Sequence, residues 1–149
     1  MSYDKDDKRT HLELIQNVVT RMASNSFAIK GWTITLVAAL MALSAASGTA
    51  KLFFFIAYVP LLAFWILDGY FLSLEKIYRK IYDYVAKDKI TNEEYFSLNM
   101  TLYISRYNQI ENNKYSGFKH VVDACITKTI FPFYIGLTVL VSVVFTLAL

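Results

Sequence analysis

Three long apolar segments constrain this chain more than any other feature of its sequence. Residues 31–50 and 129–149 contain no charged side chain, and residues 52–72 contain only Asp68. A helix needs about 20 apolar residues to cross the hydrocarbon core of a bilayer. Hydrophobic residues make up 56 % of the chain, which is typical of a membrane protein. We therefore predict a mostly α membrane protein of a single domain, 1–149, with spans at about 31–48, 52–72 and 130–149.

The distribution of Lys and Arg predicts the orientation of these spans. Of the 15 Lys and Arg residues, all except Lys51 lie in residues 1–30 or 68–128. Because cations accumulate on the cytoplasmic side, residues 1–30 and 73–128 are expected in the cytoplasm. The N-terminus is then cytoplasmic and the C-terminus is periplasmic or extracellular. Asp68 falls at the inner boundary, where we expect it to pair with Lys30 or Lys128.

The helical pattern continues beyond the membrane in each case. We expect one helix over about 11–47, a second from about residue 51 through Val85, and a third that runs continuously from Ser116 into the last span. Apolar side chains recur at helical spacing along these extensions. Since an apolar stripe in water must be covered, the three extensions should pack into a cytoplasmic bundle.

A different pattern occupies the segment between the second and third helices. The stretch "FSLNMTLYI" alternates apolar and polar residues, which favours a short β segment near residues 95–105. Thr91 and Glu94 have the spacing of a capping box, which favours a helix instead. A lone strand would need partners from other subunits, so the strand interpretation also predicts a homo-oligomer.

The chemistry of an enzyme is not evident in this sequence. His11 and His120 are isolated, and Cys125 has no base nearby in sequence. We expect no catalytic residues, no metal site and no cofactor.

Hydroxyl groups form a stripe along the last span. Thr138, Ser142 and Thr146 are four residues apart and share one helical face. They are candidate pore-lining residues, although bonding between helices or back to the preceding turn would explain them equally well. If the span lines a pore, the candidate gate residues beside the stripe are Val141, Phe145 and Leu149.

Cations and tyrosines are interleaved in the predicted cytoplasmic part. Cations that follow phosphates, with rings that stack on bases, suit single-stranded nucleic acid. The candidate nucleic-acid-binding residues are Arg79, Lys80, Tyr103, Arg106, Tyr107 and Lys119. The alternative is that these residues report only the positive-inside topology, since eight acidic residues accompany the nine cations of residues 68–128.

Four stretches together resemble a known family: "HLELIQNVVTRMASNSFAIKGWTITLVAALMAL", "FWILDGYFLSLEKIYRKIYD", "FSLN" and "KTIFPFY". Over residues 11–149 the chain is similar to small three-span membrane effectors of bacterial anti-phage systems, most of all to those of the Hailong system. The resemblance implies a tetrameric inner-membrane ion channel, related in architecture to insect chemoreceptor channels, with a pore lined by the last helix. It also implies a partner nucleotidyltransferase and control by a single-stranded DNA oligomer.

These observations lead to two functional hypotheses from different classes. The first is an oligomeric ion channel that depolarises an infected cell, an abortive-infection response gated by a nucleic-acid ligand. The second is a non-conducting membrane anchor or scaffold subunit for a soluble partner.

Overall fold

The computed structural model describes residues 5–47, 50–89, 96–110 and 116–148, with side chains for all of these except 47, 50–54, 106, 110 and 148. The alternative capping box of Thr91 and Glu94 lies outside the described residues, as does Leu149. Five helices account for most of the described chain, which contains no strand, so the prediction of a mostly α protein is confirmed. They are α1 (Lys5–Ser47), α2 (Ala50–Ala86), α3 (Met100–Ile110), α4 (Gly117–Cys125) and α5 (Phe131–Ala148).

Helices α1 and α2 form a long antiparallel hairpin. At its open end the Lys8 Nζ lies 2.6 Å from the Asp88 carboxylate and donates to the Ala86 carbonyl at 2.9 Å. Asp88 has a φ of +53°, and the N–H of Lys89 bonds to the carbonyl of Tyr84. This left-handed residue and its returning hydrogen bond end α2 and satisfy carbonyls that the helix leaves unpaired.

The third predicted helix is interrupted, so the expectation of one continuous helix was wrong. Helix α4 ends at Cys125, α5 begins at Phe131, and residues 126–130 form a turn between them. Pro132 stands in the first turn of α5, where backbone N–H groups have no partner within the helix, so the missing N–H of proline costs no hydrogen bond. In a continuous helix the ring of Pro132 would clash with the carbonyl of residue 128, so the chain starts a new helix here.

The segment predicted as a strand, near residues 95–105, is helical from Met100 onward, so that prediction was wrong. Asn99 Oδ1 accepts a hydrogen bond from the backbone N–H of Thr101 at 3.0 Å. This bond satisfies one of the donors that a helix start leaves unpaired. The buried Tyr103 then lies at helical spacing from Met100, a relation that the alternating pattern conceals.

Two separate apolar cores hold the described helices together. The first, here called the span core, joins α1, α2 and α5 through Val37, Leu61, Ile130, Tyr134 and Val141. The second, here called the bundle core, joins α1, α2 and α3 through Ile15, Val19, Ile81, Val85 and Tyr103. The bundle core lies beyond the predicted spans, so the extensions of α1 and α2 do pack on each other.

The length and surface of α1 and α2 favour a membrane protein. Each has a stretch long and apolar enough to cross a bilayer, and only 22 % of the most apolar window of each helix is buried. The core helix of a soluble protein would be mostly buried. Helix α5 contains no charged residue, but it is shorter, with 18 residues, or about 27 Å at 1.5 Å per residue.

Candidate ligand cleft and pore residues

All three hydroxyls of the predicted stripe on α5 bond back to carbonyls of the preceding turn, at 2.7 to 2.8 Å. Ser142 Oγ is also 2.8 Å from the hydroxyl of Tyr58, which reaches it from α2. Thr138 and Ser142 are half-buried, whereas Thr146 is exposed. We call Tyr58, Thr138 and Ser142 the hydroxyl seam, because Thr138 and Ser142 share one face of α5 and Tyr58 contacts Ser142 from α2. Sequence reasoning missed Tyr58, whose pairing depends on how the two helices are packed.

The candidate gate residues have different environments. Val141 is fully buried in the span core. Phe145 packs against the same core and makes an edge contact with Phe55, with 6.4 Å between ring centroids. Leu149 lies outside the described residues. Val141 therefore packs α5 against the other helices of the span core.

A buried ion pair joins α1 and α2 at the predicted inner boundary. Lys30 Nζ lies 2.6 Å from Asp68 Oδ2, and the Ser26 hydroxyl donates a hydrogen bond to Asp68 Oδ1. The Asp68 side chain is fully buried, while that of Lys30 is 23 % exposed. The prediction that Asp68 pairs with Lys30 is confirmed, and the alternative partner, Lys128, is exposed.

Helix α4 is hydrogen-bonded to α2 close to this ion pair. The indole N–H of Trp65 donates to the Cys125 carbonyl at 3.2 Å, and the Cys125 thiol donates to the Trp65 carbonyl at 3.6 Å. Gly69 permits this approach, since a Cβ there would overlap the Cys125 sulfur. Burial raises the pKa of the Cys125 thiol, and the nearby Asp68 raises it further.

Two of the predicted nucleic-acid-binding residues come together in a cleft between α2, α3 and α4. Lys80 Nζ lies 4.5 Å from the centroid of the Tyr107 ring, a cation–π contact. The Tyr107 ring meets His120 edge-on, with 6.0 Å between ring centroids. Lys76 lines the same cleft, four residues before Lys80 on α2. Sequence reasoning missed Lys76 and His120, although the spacing of the two lysines places them on one helical face.

Arg79 and Lys119 are not among the described residues that line this cleft. The Arg79 guanidinium is 2.8 Å from the Glu75 carboxylate on the same helix, and it lines a separate surface depression with Gln16. Lys119 is exposed on α4 beside the cleft. Only the backbone of Arg106 is described, within α3.

Tyr103 is buried rather than presented to a ligand. It is 1 % exposed in the bundle core, and its hydroxyl donates to the Ser97 carbonyl at 2.7 Å. The same hydroxyl lies 3.3 Å from Nε2 of His11, whose ring stacks on Phe96. Its assignment as a base-stacking residue is therefore corrected, because no base reaches a ring packed in this way. Burial lowers the pKa of His11.

Comparisons with models of protein families, with curated proteins and with solved structures found no match. Among the described residues, no group of three or more His, Cys, Asp or Glu side chains is placed to hold a metal ion. The candidate functional features are the hydroxyl seam, the Lys30–Asp68 ion pair and the cleft between α2, α3 and α4, here called the basic cleft.

Proposed function

We propose that this chain is the subunit of an oligomeric inner-membrane ion channel that depolarises the cell as an anti-phage effector, under the control of a nucleic-acid ligand. The hydroxyl seam carries this proposal. Ser142 stands about 16 Å along α5 from its first residue, and Tyr58 stands about 15 Å along α2 from Asp68, at 1.5 Å per residue. Both hydroxyls would therefore lie near the middle of a bilayer core about 30 Å thick.

The proposed topology has α1, α2 and α5 as spans, with the N-terminus and the bundle core in the cytoplasm. It is supported by the concentration of cations in residues 1–30 and 68–128. The Lys30–Asp68 pair then lies at the inner boundary, with its lysine end partly exposed. At 18 residues α5 is just long enough for the third crossing.

A conducting path requires several copies of this chain. The span core fills the space between the three helices of one subunit with Leu61, Tyr134 and Val141, which are at most 1 % exposed. A lumen must therefore form between subunits. The small residues Ala38, Ala42 and Ala46 are exposed on α1 and would allow helices of neighbouring subunits to approach closely. Four subunits are the number implied by the family resemblance.

Helix α4 offers a connection between the ligand cleft and the span. His120 lies in the cleft, and the carbonyl of Cys125, at the C-terminal end of α4, accepts a hydrogen bond from Trp65. Only residues 126–130 separate α4 from α5. A ligand that shifts α4 would therefore act on α5 through this short turn, and we propose that binding is coupled to the pore in this way.

The test is the conductance of single channels formed by purified protein in a planar bilayer. If the seam lines the pore, Ser142→Leu should reduce the unitary conductance while the assembly keeps its size on a sizing column. In a Cys125→Ser background, Ser142→Cys should react with a water-soluble thiol reagent while channels are open. Leu140→Cys, on the exposed apolar side of α5, is the matched control and should stay unreactive. An unchanged conductance in Ser142→Leu would refute a lumen at the seam.

The second candidate function is that of a non-conducting membrane anchor for a soluble partner, and one observation favours it. Every hydroxyl of the α5 stripe is already engaged within the subunit, and the most exposed side chains of α5 include Val139, Leu140 and Leu147. An anchor needs only this packing. It would show no unitary currents under any ligand condition.

A further inference from the structure

The cleft between α2, α3 and α4 has a volume of about 190 Å³. Its wall combines two lysines, a histidine and a tyrosine with two aliphatic side chains. The lining residues are Lys76, Ile77, Lys80, Ile104, Tyr107 and His120. Complete sites for small molecules usually measure about 300–1,000 Å³, so this cleft suits one group of a larger ligand.

The charges around the cleft select the kind of group that it would hold. Lys76 and Lys80 face His120 from α2, and Lys119 adjoins it on α4. Asp123, also on α4, is an acidic residue that acts on His120. From α3 the Tyr107 ring contacts His120. Among the described residues, three ammonium groups thus stand against one carboxylate around His120, which favours an anion.

We propose that this cleft binds one phosphate group of a soluble phosphate ester and that His120 takes up a proton as the phosphate enters. Ammonium groups bind phosphate as point charges, and a protonated imidazole adds a charge-assisted hydrogen bond. The inference rests on the proposed ligand control of this chain, but it concerns binding alone and does not depend on ion conduction.

The charged groups around His120 support this coupling. Burial lowers its pKa, and the positive charges of Lys80, Lys119 and Lys76 lower it further, whereas Asp123 raises it. A phosphate placed among these groups would cancel the repulsion from the lysines and favour the charged imidazole. Binding should therefore tighten as the pH falls, until His120 is already protonated without ligand.

The place of the cleft along α2 favours a soluble ester over a lipid headgroup. Lys80 is twelve residues beyond Asp68, which corresponds to about 18 Å along the helix at 1.5 Å per residue. If Asp68 marks the inner boundary, the cleft stands clear of the bilayer surface. An oligonucleotide reaches it there, and a phospholipid does not.

The experiment measures binding of a fluorescent oligodeoxythymidylate without terminal phosphates to the full-length protein in neutral detergent. Its phosphodiesters do not titrate near pH 7, so any pH dependence belongs to the protein. Lys80→Gln should weaken binding about tenfold, as expected when one hydrogen bond to a charged group is lost. Lys80→Arg should restore most of the affinity, and Lys87→Gln, an exposed control outside the cleft, should leave it unchanged. Inorganic phosphate should compete at constant ionic strength better than chloride.

The pH arm compares wild type with His120→Gln between pH 5.5 and 8, a window that spans the ordinary histidine pKa of about 6.5. Wild-type affinity should rise as the pH falls, and the variant should lose that dependence while keeping its thermal unfolding midpoint. Equal loss in Lys80→Gln and Lys87→Gln would overturn the proposal, as would an unchanged pH profile in His120→Gln. Binding to vesicles of anionic phospholipid without binding to the oligonucleotide would also overturn it. A protein that binds as expected but conducts no ions would refute the channel and leave this inference standing.

Discussion

Gly69 allows α4 to lie against α2, and replacing it with alanine should separate the two helices. A Cβ at this position would overlap the Cys125 sulfur. The same Cβ would lie 3.2 Å from the Val121 carbonyl oxygen and 3.4 Å from the Cys125 backbone nitrogen. The two backbone atoms belong to α4, so rotation of the thiol alone does not relieve the crowding. Extra methyl groups in a packed interface typically cost about 1–3 kcal/mol. We therefore expect Gly69→Ala to lower the free energy of unfolding by about that amount relative to matched controls.

The controls are Gly31→Ala and Gly136→Ala, because a Cβ at either position meets no atom within 4 Å. Each should be neutral or slightly stabilising, since alanine favours a helix over glycine by about 1 kcal/mol. Thermal unfolding in detergent, followed by far-UV circular dichroism, compares the three variants. The rate at which Cys125, the only cysteine, reacts with a thiol reagent reports the separation of α4 directly. Adding Cys125→Ala should rescue part of the stability. A Gly69→Ala protein as stable as the two controls, with an unchanged thiol rate, would refute the close packing of α4 on α2.

Two further predictions concern buried polar groups. Lys30→Met leaves the Asp68 carboxylate buried without its cation and should lower the free energy of unfolding by about 3–5 kcal/mol. The double variant Lys30→Met, Asp68→Leu should recover most of this loss. Equal losses in the single and double variants would contradict this account of the pair. Because burial lowers the pKa of His11 below its ordinary 6.5, the unfolded chain takes up a proton first as the pH falls. This contribution to stability is fully present above pH 6.5 and is lost as the pH falls from 6.5 through the folded-state pKa. Chemical denaturation of wild type and His11→Gln at pH 8 and pH 5.5 measures it, and equal pH dependence in both proteins would be the opposing result.

The long helices could be predicted from the sequence because their signals are local. Long apolar runs, interrupted only by Asp68, predict the membrane-length parts of α1 and α2. An acid at a membrane boundary needs a cation nearby, which predicts the pairing of Asp68 with Lys30 or Lys128. Pro60 lies inside α2, where the helix tolerates it. Pro132 instead marks the start of α5, and the sequence alone does not distinguish these two roles of proline.

The remaining features depend on packing between distant segments. The pattern around Tyr103 satisfies both a period of two and a helical spacing, and the contact with His11, 92 residues away, favours the helix. The basic cleft is formed by α2, α3 and α4 together. Its members Lys80 and Tyr107 carry a sequence signal as part of a basic, tyrosine-rich region, but the participation of His120 follows only from the docking of α4.

The most direct test of the proposed channel is ion flux across liposomes that contain only this protein. Potassium-loaded vesicles of bacterial lipids would be diluted into sodium buffer, and the membrane potential would be followed with a voltage-sensitive dye, with and without the oligonucleotide. An ion channel predicts dissipation of the gradient in at least one of the two ligand conditions, at a rate that Ser142→Leu reduces. A gradient that persists in both conditions, with correctly inserted protein of unchanged assembly size, would contradict the channel and assign the chain to the membrane-anchor class.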